Sequence, residues 1–310
     1  MDLISDILLR LAMQGTLYFR TSFTSPWGVD VPRHPHVARF HFAHQGGCLI
    51  RVDGVASPVT LRQGDLVIVP HGAAHRLYCD PSNEAGALPL DRVLELSGFT
   101  GKGTLVYGGG QADSETQLIC GHFAFDPMGW HPLIDRLPPV LHIVNYGETA
   151  GQWLEHTLRL IGDEAGRGGL GGDLIAQKMS EIIFAQVLRA YLTGKGAELP
   201  GLAGLADMQV RRALEAVHAA PEVDWTVAAL ARVAGLSRTG FSQRFTATMA
   251  MTPMAYVTRW RMQIARDDLK NPHLSVPEVA ETVGYGSEAA FARVFKKEFG
   301  ISPAAYRRAA

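Results

Sequence analysis

The side chains with the widest chemical reach are histidines and cysteines in the first half of the chain. Six of the twelve histidines fall between residues 34 and 75, where an even spread would place fewer than two: His34, His36, His41, His44, His71 and His75. Imidazole is the commonest transition-metal ligand, and it also hydrogen-bonds organic ligands and backbone. The cluster therefore reads either as a metal site or as the polar lining of a cavity. His34 and His36 stand two apart, which on an extended strand puts both on one side. Cys48, Cys79 and Cys120 each read either as a redox-active thiol or as a small buried apolar residue. Cys79 follows His75 by four residues and shares its parity, so both side chains are expected to enter one interior together.

A second group of residues is repeated. Val227, Ala231 and Gly235 recur as Val276, Ala280 and Gly284 at an offset of 49. Phe241, Phe245, Pro253 and Tyr256 recur as Phe291, Phe295, Pro303 and Tyr306 at an offset of 50. In each copy a small alanine lets a second helix cross closely, and a glycine ends the first helix in a left-handed turn. Ser237 or Ser287 then caps the next helix, whose phenylalanines at i and i+4 bury one face. Helix, glycine turn and capped helix make a helix-turn-helix, present twice. Met254 to Lys270 is expected to form the helix between the copies.

The elements that must position these residues differ along the chain. Residues 16 to 107 carry short apolar or alternating runs (48–52, 59–61, 66–69, 76–78, 93–96 and 104–107) separated by turn signals, which predicts an all-β barrel or sandwich, with 118–125 closing it. From Gly129 the apolar spacing turns helical. Trp153 to Ile161 and Leu174 to Leu192 read as a helical hairpin about a glycine-rich connection at 166–172. The second arm has an apolar stripe through Leu174, Ile175, Ile182, Ile183 and Leu188, expected to cover either its own barrel or a second copy of the chain. Gly194 to Gly204, with four glycines and Pro200, is the expected linker.

Composition sets outer bounds. At 310 residues the length suits two domains, and 47% hydrophobic with 19% charged residues suits well-packed cores rather than disorder. The net charge of −1 hides an asymmetry: residues 207–310 carry 14 basic and 10 acidic side chains, and the remainder 15 and 20. A basic final third on an acidic remainder points toward a polyanion partner. No apolar run approaches the ~20 residues of a membrane span. No basic region precedes the first apolar segment, so export is not expected, and three widely spaced cysteines suit the cytoplasm.

Two resemblances follow from these residues. The last hundred residues, with Val283-Gly284-Tyr285-Gly286-Ser287, Phe295-Lys296-Lys297 and Gly300-Ile301-Ser302-Pro303 ahead of Tyr306-Arg307, resemble the DNA-binding domain of AraC/XylS transcriptional regulators. The resemblance implies recognition helices at Ser237 to Met249 and Ser287 to Glu298, entering successive major grooves of promoter DNA. Thr239, Ser242 and Gln243 match base-facing positions in the first copy, as do Glu288, Ala289 and Arg293 in the second. Arg293 can present paired donors to a guanine and Gln243 can pair with an adenine, whereas Ala289 has no side-chain hydrogen bond to offer. Arg238, Arg244, Lys296 and Lys297 read as phosphate contacts or as solvated surface.

In the first half, Gly64, Pro70, Gly72 and His75 resemble the second motif of the cupin superfamily, whose histidine ligates metal. The first cupin motif, His-x-His followed by glutamate, is here His34-Pro35-His36 followed by His41, and Cys79 stands where the second motif has asparagine. The resemblance implies the barrel and makes a divalent zinc, nickel or iron at His34, His36, His41 and His75 one option. The layout of residues 1–195 is similar to the cupin subgroup of AraC regulators that includes responders to reactive chlorine.

The expectation is an α+β chain: a cupin-like sensing and dimerisation domain at 1–195, a linker at 196–206 and an all-α double helix-turn-helix domain at 207–310. It reads as a non-enzymatic, cytoplasmic, homodimeric transcription regulator responding to a small molecule, metal or oxidant. The alternative is a metal-dependent cupin oxygenase with an accessory DNA-binding domain.

Overall fold

The computed structural model describes residues 3–10, 14–101, 103–110, 114–125, 132–144, 157, 171–193 and 201–309. It divides into two compact units that do not follow chain order. Met13–Asp126 and Leu137–Tyr191 form one, and Met1–Ala12, Pro127–Arg136 and Leu192–Ala310 form the other.

The first unit is built on strands β1 (Gln14–Thr24), β2 (Gly28–Val31), β3 (Val37–Gln45), β4 (Cys48–Val52), β5 (Val59–Leu61), β6 (Leu66–Val69), β7 (His75–Tyr78), β8 (Leu88–Pro89), β9 (Thr104–Gly108), β10 (Glu115–Ala124) and β11 (Leu141–Ile143). They form two facing sheets, ordered β11-β6-β3-β10-β1-β9 and β5-β4-β7-β2-β8. Alternation decides what each strand contributes. On β3, Arg39, His41 and Ala43 face inward. Phe40 faces outward and stacks on Phe123 at 5.2 Å, and Phe123 meets Phe184 at 4.9 Å. Phe184 belongs to the long helix Gly172–Thr193, whose Ile183, Phe184, Val187 and Leu188 are buried. The turn before β7 has no room for a side chain. Gly72 sits at φ 59°, and a Cβ there would lie 1.9 Å from the carbonyl oxygen of His34.

Residues 93–96, read above as a strand, are helical: they lie in the helix Leu90–Ser97. Leu90, Val93 and Leu94 fall at i, i+3 and i+4 and pack on the barrel, while Gly98 at φ 65° ends the helix in a left-handed cap. Four apolar-rich residues are compatible with either period, and packing against the sheet decided the outcome. Of the expected hairpin, the arm 153–161 lies outside the described residues except Thr157.

Among the described residues the α-helices in chain order are α1 (Leu3–Arg10), α2 (Leu90–Ser97), α3 (Pro132–Asp135), α4 (Gly172–Thr193), α5 (Ala203–Ala206), α6 (Met208–Ala219), α7 (Val227–Ala234), α8 (Arg238–Met249), α9 (Pro253–Asp268), α10 (Val276–Thr282), α11 (Glu288–Phe299) and α12 (Pro303–Ala309). Helices α5–α12 together with α1 and α3 build the second unit. Seven of its described helices begin on a capping side chain, and Asp207, Thr226, Ser237, Thr252, Ser275, Ser287 and Ser302 all accept from backbone N–H groups of the first turn. Each such cap is worth ~1 kcal/mol.

Three boundaries differ from the sequence reading. Helix α3, within the expected 1–195 domain, falls in the helical unit. Helix α1 belongs to the helical unit and not to the barrel: Leu3 and Ile7 are buried there. Part of the expected 196–206 linker is also built into that unit. Leu202 and Leu205 are buried, and a Cβ on Gly204 would lie 2.4 Å from Sδ of Met249. This glycine serves close approach, not flexibility, a distinction that composition does not make.

Candidate DNA interface and barrel cavity

The two helix-turn-helix copies repeat in space as they do in sequence. Gly235 (φ 69°) and Gly284 (φ 77°) make the left-handed turns, and Ser237 and Ser287 accept from the N–H of Gly240 and Ala290, each at 3.2 Å. Phe245 meets Tyr256 edge-on at 5.9 Å, and Phe295 meets Tyr306 edge-on at 5.8 Å. Burying Phe241, Phe245, Phe291 and Phe295 turns the opposite faces of α8 and α11 outward. Arg238, Thr239, Gln243, Glu288, Ala289, Arg293, Lys296 and Lys297 are exposed there, and Ser242 is half-buried. Arg244 is also exposed, but its Nε donates to Oδ2 of Asp207 at 2.7 Å, so it ties α8 to the cap of α6.

A cavity of about 160 Å³, partly open to the outside, lies between the two sheets of the barrel. Its walls are mostly apolar: Phe19 and Phe23 of β1, Val29 and Val31 of β2, Leu77 of β7, Leu90 of α2, Leu105 of β9 and Leu118 of β10. Thr21 of β1 also lines it, its hydroxyl accepting from the N–H of Leu118, and Arg39, His41, Cys120 and His122 form its polar side. Strand register brings these four together, because Cys120 lies opposite His41 and His122 opposite Arg39 in the β10–β3 pairing.

A hydrogen-bonded chain runs from this polar side into the protein. Nδ1 of His75 lies 2.9 Å from the carbonyl oxygen of Ala73, so that nitrogen holds the proton and donates. Nε2 of His75 then accepts from Nε2–H of His41 at 2.9 Å, and Nδ1 of His41 accepts from the Cys120 thiol at 3.1 Å. Burial sets the protonation of each member. It pushes the His75 imidazole down to about 4 and His41 well below the usual range, with the neighbouring His75 and Arg39 charges adding to the shift at His41. Burial also pushes the Cys120 thiol up. All three are neutral near pH 7.

The comparisons with known proteins agree with both halves. The cupin family model matches residues 2–193, and a helix-turn-helix domain model matches residues 230–309. A putative AraC-like transcription regulator of Streptomyces lividans is 33% identical over 316 residues, spanning 99% of this chain and 98% of that protein. The chain belongs to the AraC-type transcription regulators. The HTH-type transcriptional regulator AlkR of Acinetobacter baylyi is 32% identical across 80% of this chain and 81% of its own length. The RCS-specific HTH-type transcriptional activator RclR of Escherichia coli is 27% identical across 99% and 97%. This AraC-type regulator is a two-domain α+β protein that binds DNA through its double helix-turn-helix.

The structure separates the histidines and cysteines that the sequence grouped. His41 and His75 meet, whereas His34 and His36 are exposed on the loop before β3, where His36 adopts φ 58°. His71 bonds the carbonyl oxygen of Leu137. Cys79 does not join His75 in the interior. It lies beyond the end of β7, with its Sγ 3.2 Å from the N–H of Trp27 and 3.0 Å from Oδ1 of Asn83. Cys48 is buried in the barrel core, and Cys120 is the cysteine that meets a histidine.

A cupin metal does not fit this donor set. Among the described residues no three metal-binding side chains converge. The Cys120 sulfur lies on the Nδ1 edge of His41, while His75 lies on the Nε2 edge, so one ion cannot take all three. Arg39 and His122 are the cavity residues that sequence reasoning did not single out. The signal was present: with His41 inward on a strand, Arg39 two residues earlier must face inward too.

Proposed function

We propose that the barrel cavity is the effector site of this AraC-type regulator and that its occupancy alters promoter binding by the helical unit. The observation that carries this reading is the cavity itself. A barrel of this size ordinarily fills its interior with side chains, and here a void with one polar side is kept open against the packing energy it forfeits. We read it as a binding site and not a catalytic one. A general base working at neutral pH needs a pKa near 7, and burial moves His41 and His75 well away from it.

The regulator acts as a homodimer in this reading. On α4, Leu174, Ile175 and Ile182 are exposed, apart from the residues that pack on the barrel, and they offer an apolar face to a second copy. The test uses the full-length protein. An operator is first selected from a random DNA library, and its affinity is then measured by fluorescence anisotropy with and without small-molecule extracts of the source cells. A ligand-dependent change in affinity supports the reading, and an affinity indifferent to every fraction sinks it. Sedimentation of Leu174→Glu and Ile182→Glu variants tests the dimer: both should run as monomers if α4 is the interface.

A further inference from the structure

We infer that the cavity accepts a small monocarboxylate, with an apolar body of six to eight carbons held by the barrel walls and its carboxylate paired to Arg39. This rests on reading the cavity as the effector site and adds the chemistry of what fills it.

The first observation is an unanswered charge. Arg39 lines the cavity, and its Nε is buried with no hydrogen-bond partner among the described residues. Among the described residues lining the cavity there is no aspartate or glutamate. A guanidinium keeps its proton in proteins, so Arg39 does not escape the cost of burial by neutralising. Its charge also reaches the site: it helps depress His41, His75 and His122, and burial lowers Arg39 itself. A half-buried cation whose inward Nε–H has no partner is matched best by a planar carboxylate, which takes two parallel hydrogen bonds from a guanidinium.

The second observation is the lining and the size. Phe19, Phe23, Leu105 and Leu118 leave hydroxyl groups without partners, which disfavours sugars, and they offer nothing to the outer oxygens of phosphate or sulfate. An apolar cavity near 150 Å³ admits benzene, so about 160 Å³ accepts a ring or a short chain. His41 and Cys120 spend their hydrogen bonds on each other and on His75, so Arg39, with His122 and Thr21 beside it in the lining, is the charged group that orients the ligand.

Isothermal titration of the full-length protein with cyclohexanecarboxylate and with cyclohexylmethanol, its neutral counterpart, tests the assignment. Wild type should bind the acid at least tenfold more tightly than the alcohol. Arg39→Met, which keeps the stem volume and removes the charge, should abolish that preference while still binding the alcohol. Arg39→Lys, which keeps the charge but not the fork, should retain part of it. Thermal unfolding of each variant shows whether it folds, and either variant alone suffices. Equal affinity for acid and alcohol, acid preference surviving in Arg39→Met, or no binding of either compound by folded wild type overturns the assignment. Arg39-dependent acid binding that leaves operator affinity unchanged upholds the ligand class and defeats the effector reading instead.

Discussion

Oδ2 of Asp6 lies 2.7 Å from Nδ1 of His218, although 212 residues separate them in the chain. Nε2 of the same ring accepts from the Tyr256 hydroxyl at 2.7 Å, and the ring stacks on Trp260 at 3.7 Å. The guanidinium of Arg10 sits 5.5 Å from the Trp260 ring, and the carbonyl oxygen of Arg10 accepts from the buried Arg266. The first helix of the chain is thus fastened to the helical unit by a polar network under its apolar face.

Removing the Asp6 carboxylate should loosen that attachment. Asp6→Ala leaves the Nδ1–H of His218 buried without an acceptor, and a loss of roughly 1–3 kcal/mol is expected in denaturant unfolding of the full chain. Asp6→Asn keeps an acceptor and should lose less. Equal losses in the two variants would mean that the hydrogen bond contributes nothing.

The same pair sets a pH dependence. Burial holds the His218 imidazole below its usual value against the pull of Asp6. The unfolded chain therefore binds a proton there more readily, and the contribution of neutral His218, complete above about pH 6.5, is lost as pH falls from there. Burial would raise the Asp6 carboxyl, but the hydrogen bond and charge of His218, with Arg10, outweigh it and hold it low. Its contribution persists to lower pH and is lost below the ordinary carboxylate range. Thermal melts between pH 8 and 3 should decline in both intervals, and His218→Gln should flatten the upper one.

The barrel adds its own acid sensitivity. His75 at about 4 is neutral in the folded protein where the unfolded chain is already charged, which amounts to roughly 3 kcal/mol lost between pH 6.5 and 4. NMR titration should find the His75 ring unprotonated at pH 5. A chelator should leave the melting temperature of the barrel unchanged, because Cys120 and His75 meet opposite edges of the His41 ring and do not converge on one point.

Thiol labelling should be selective. Cys48 and Cys120 are buried and burial raises both thiols, whereas Cys79 is half-buried at a strand end. Iodoacetamide at neutral pH, followed by peptide mass spectrometry, should modify Cys79 first. Prior labelling of Cys120 would show that the cavity opens to reagents.

On DNA, the exposed side chains should divide by role. Arg293→Ala and Gln243→Ala should each relax preference at one base pair by about 1–3 kcal/mol in a selection experiment. Lys296→Ala and Lys297→Ala should weaken all sequences alike and reduce the salt slope by about 0.9 for each phosphate no longer neutralised. Arg244→Ala should change the salt slope least, because its guanidinium is already engaged by Asp207.

The sequence by itself determined the double helix-turn-helix. Each copy is written in about thirty residues whose glycine turn, serine cap and i, i+4 phenylalanines act on near neighbours, and a local code of that kind survives without knowledge of the rest of the chain. The turns of the barrel and strands β4–β7, β9 and β10 were legible for the same reason, whereas β3, which carries Arg39 and His41, was not among the runs read as strands. The tertiary structure alone decided which inward side chains meet. Strand alternation assigns a face and not a partner, so His41, His75 and Cys120 became one chain of hydrogen bonds, and His34, His36 and Cys79 did not, only when β3, β7 and β10 took their registers. The location of α1 was hidden in the same way, since a short helix with Leu3 and Ile7 on one face carries no mark of the surface it will cover. The helix at Val93 and the docking of Gly204 were likewise settled by long-range packing, which overrides a few residues of local preference whenever the buried area is larger.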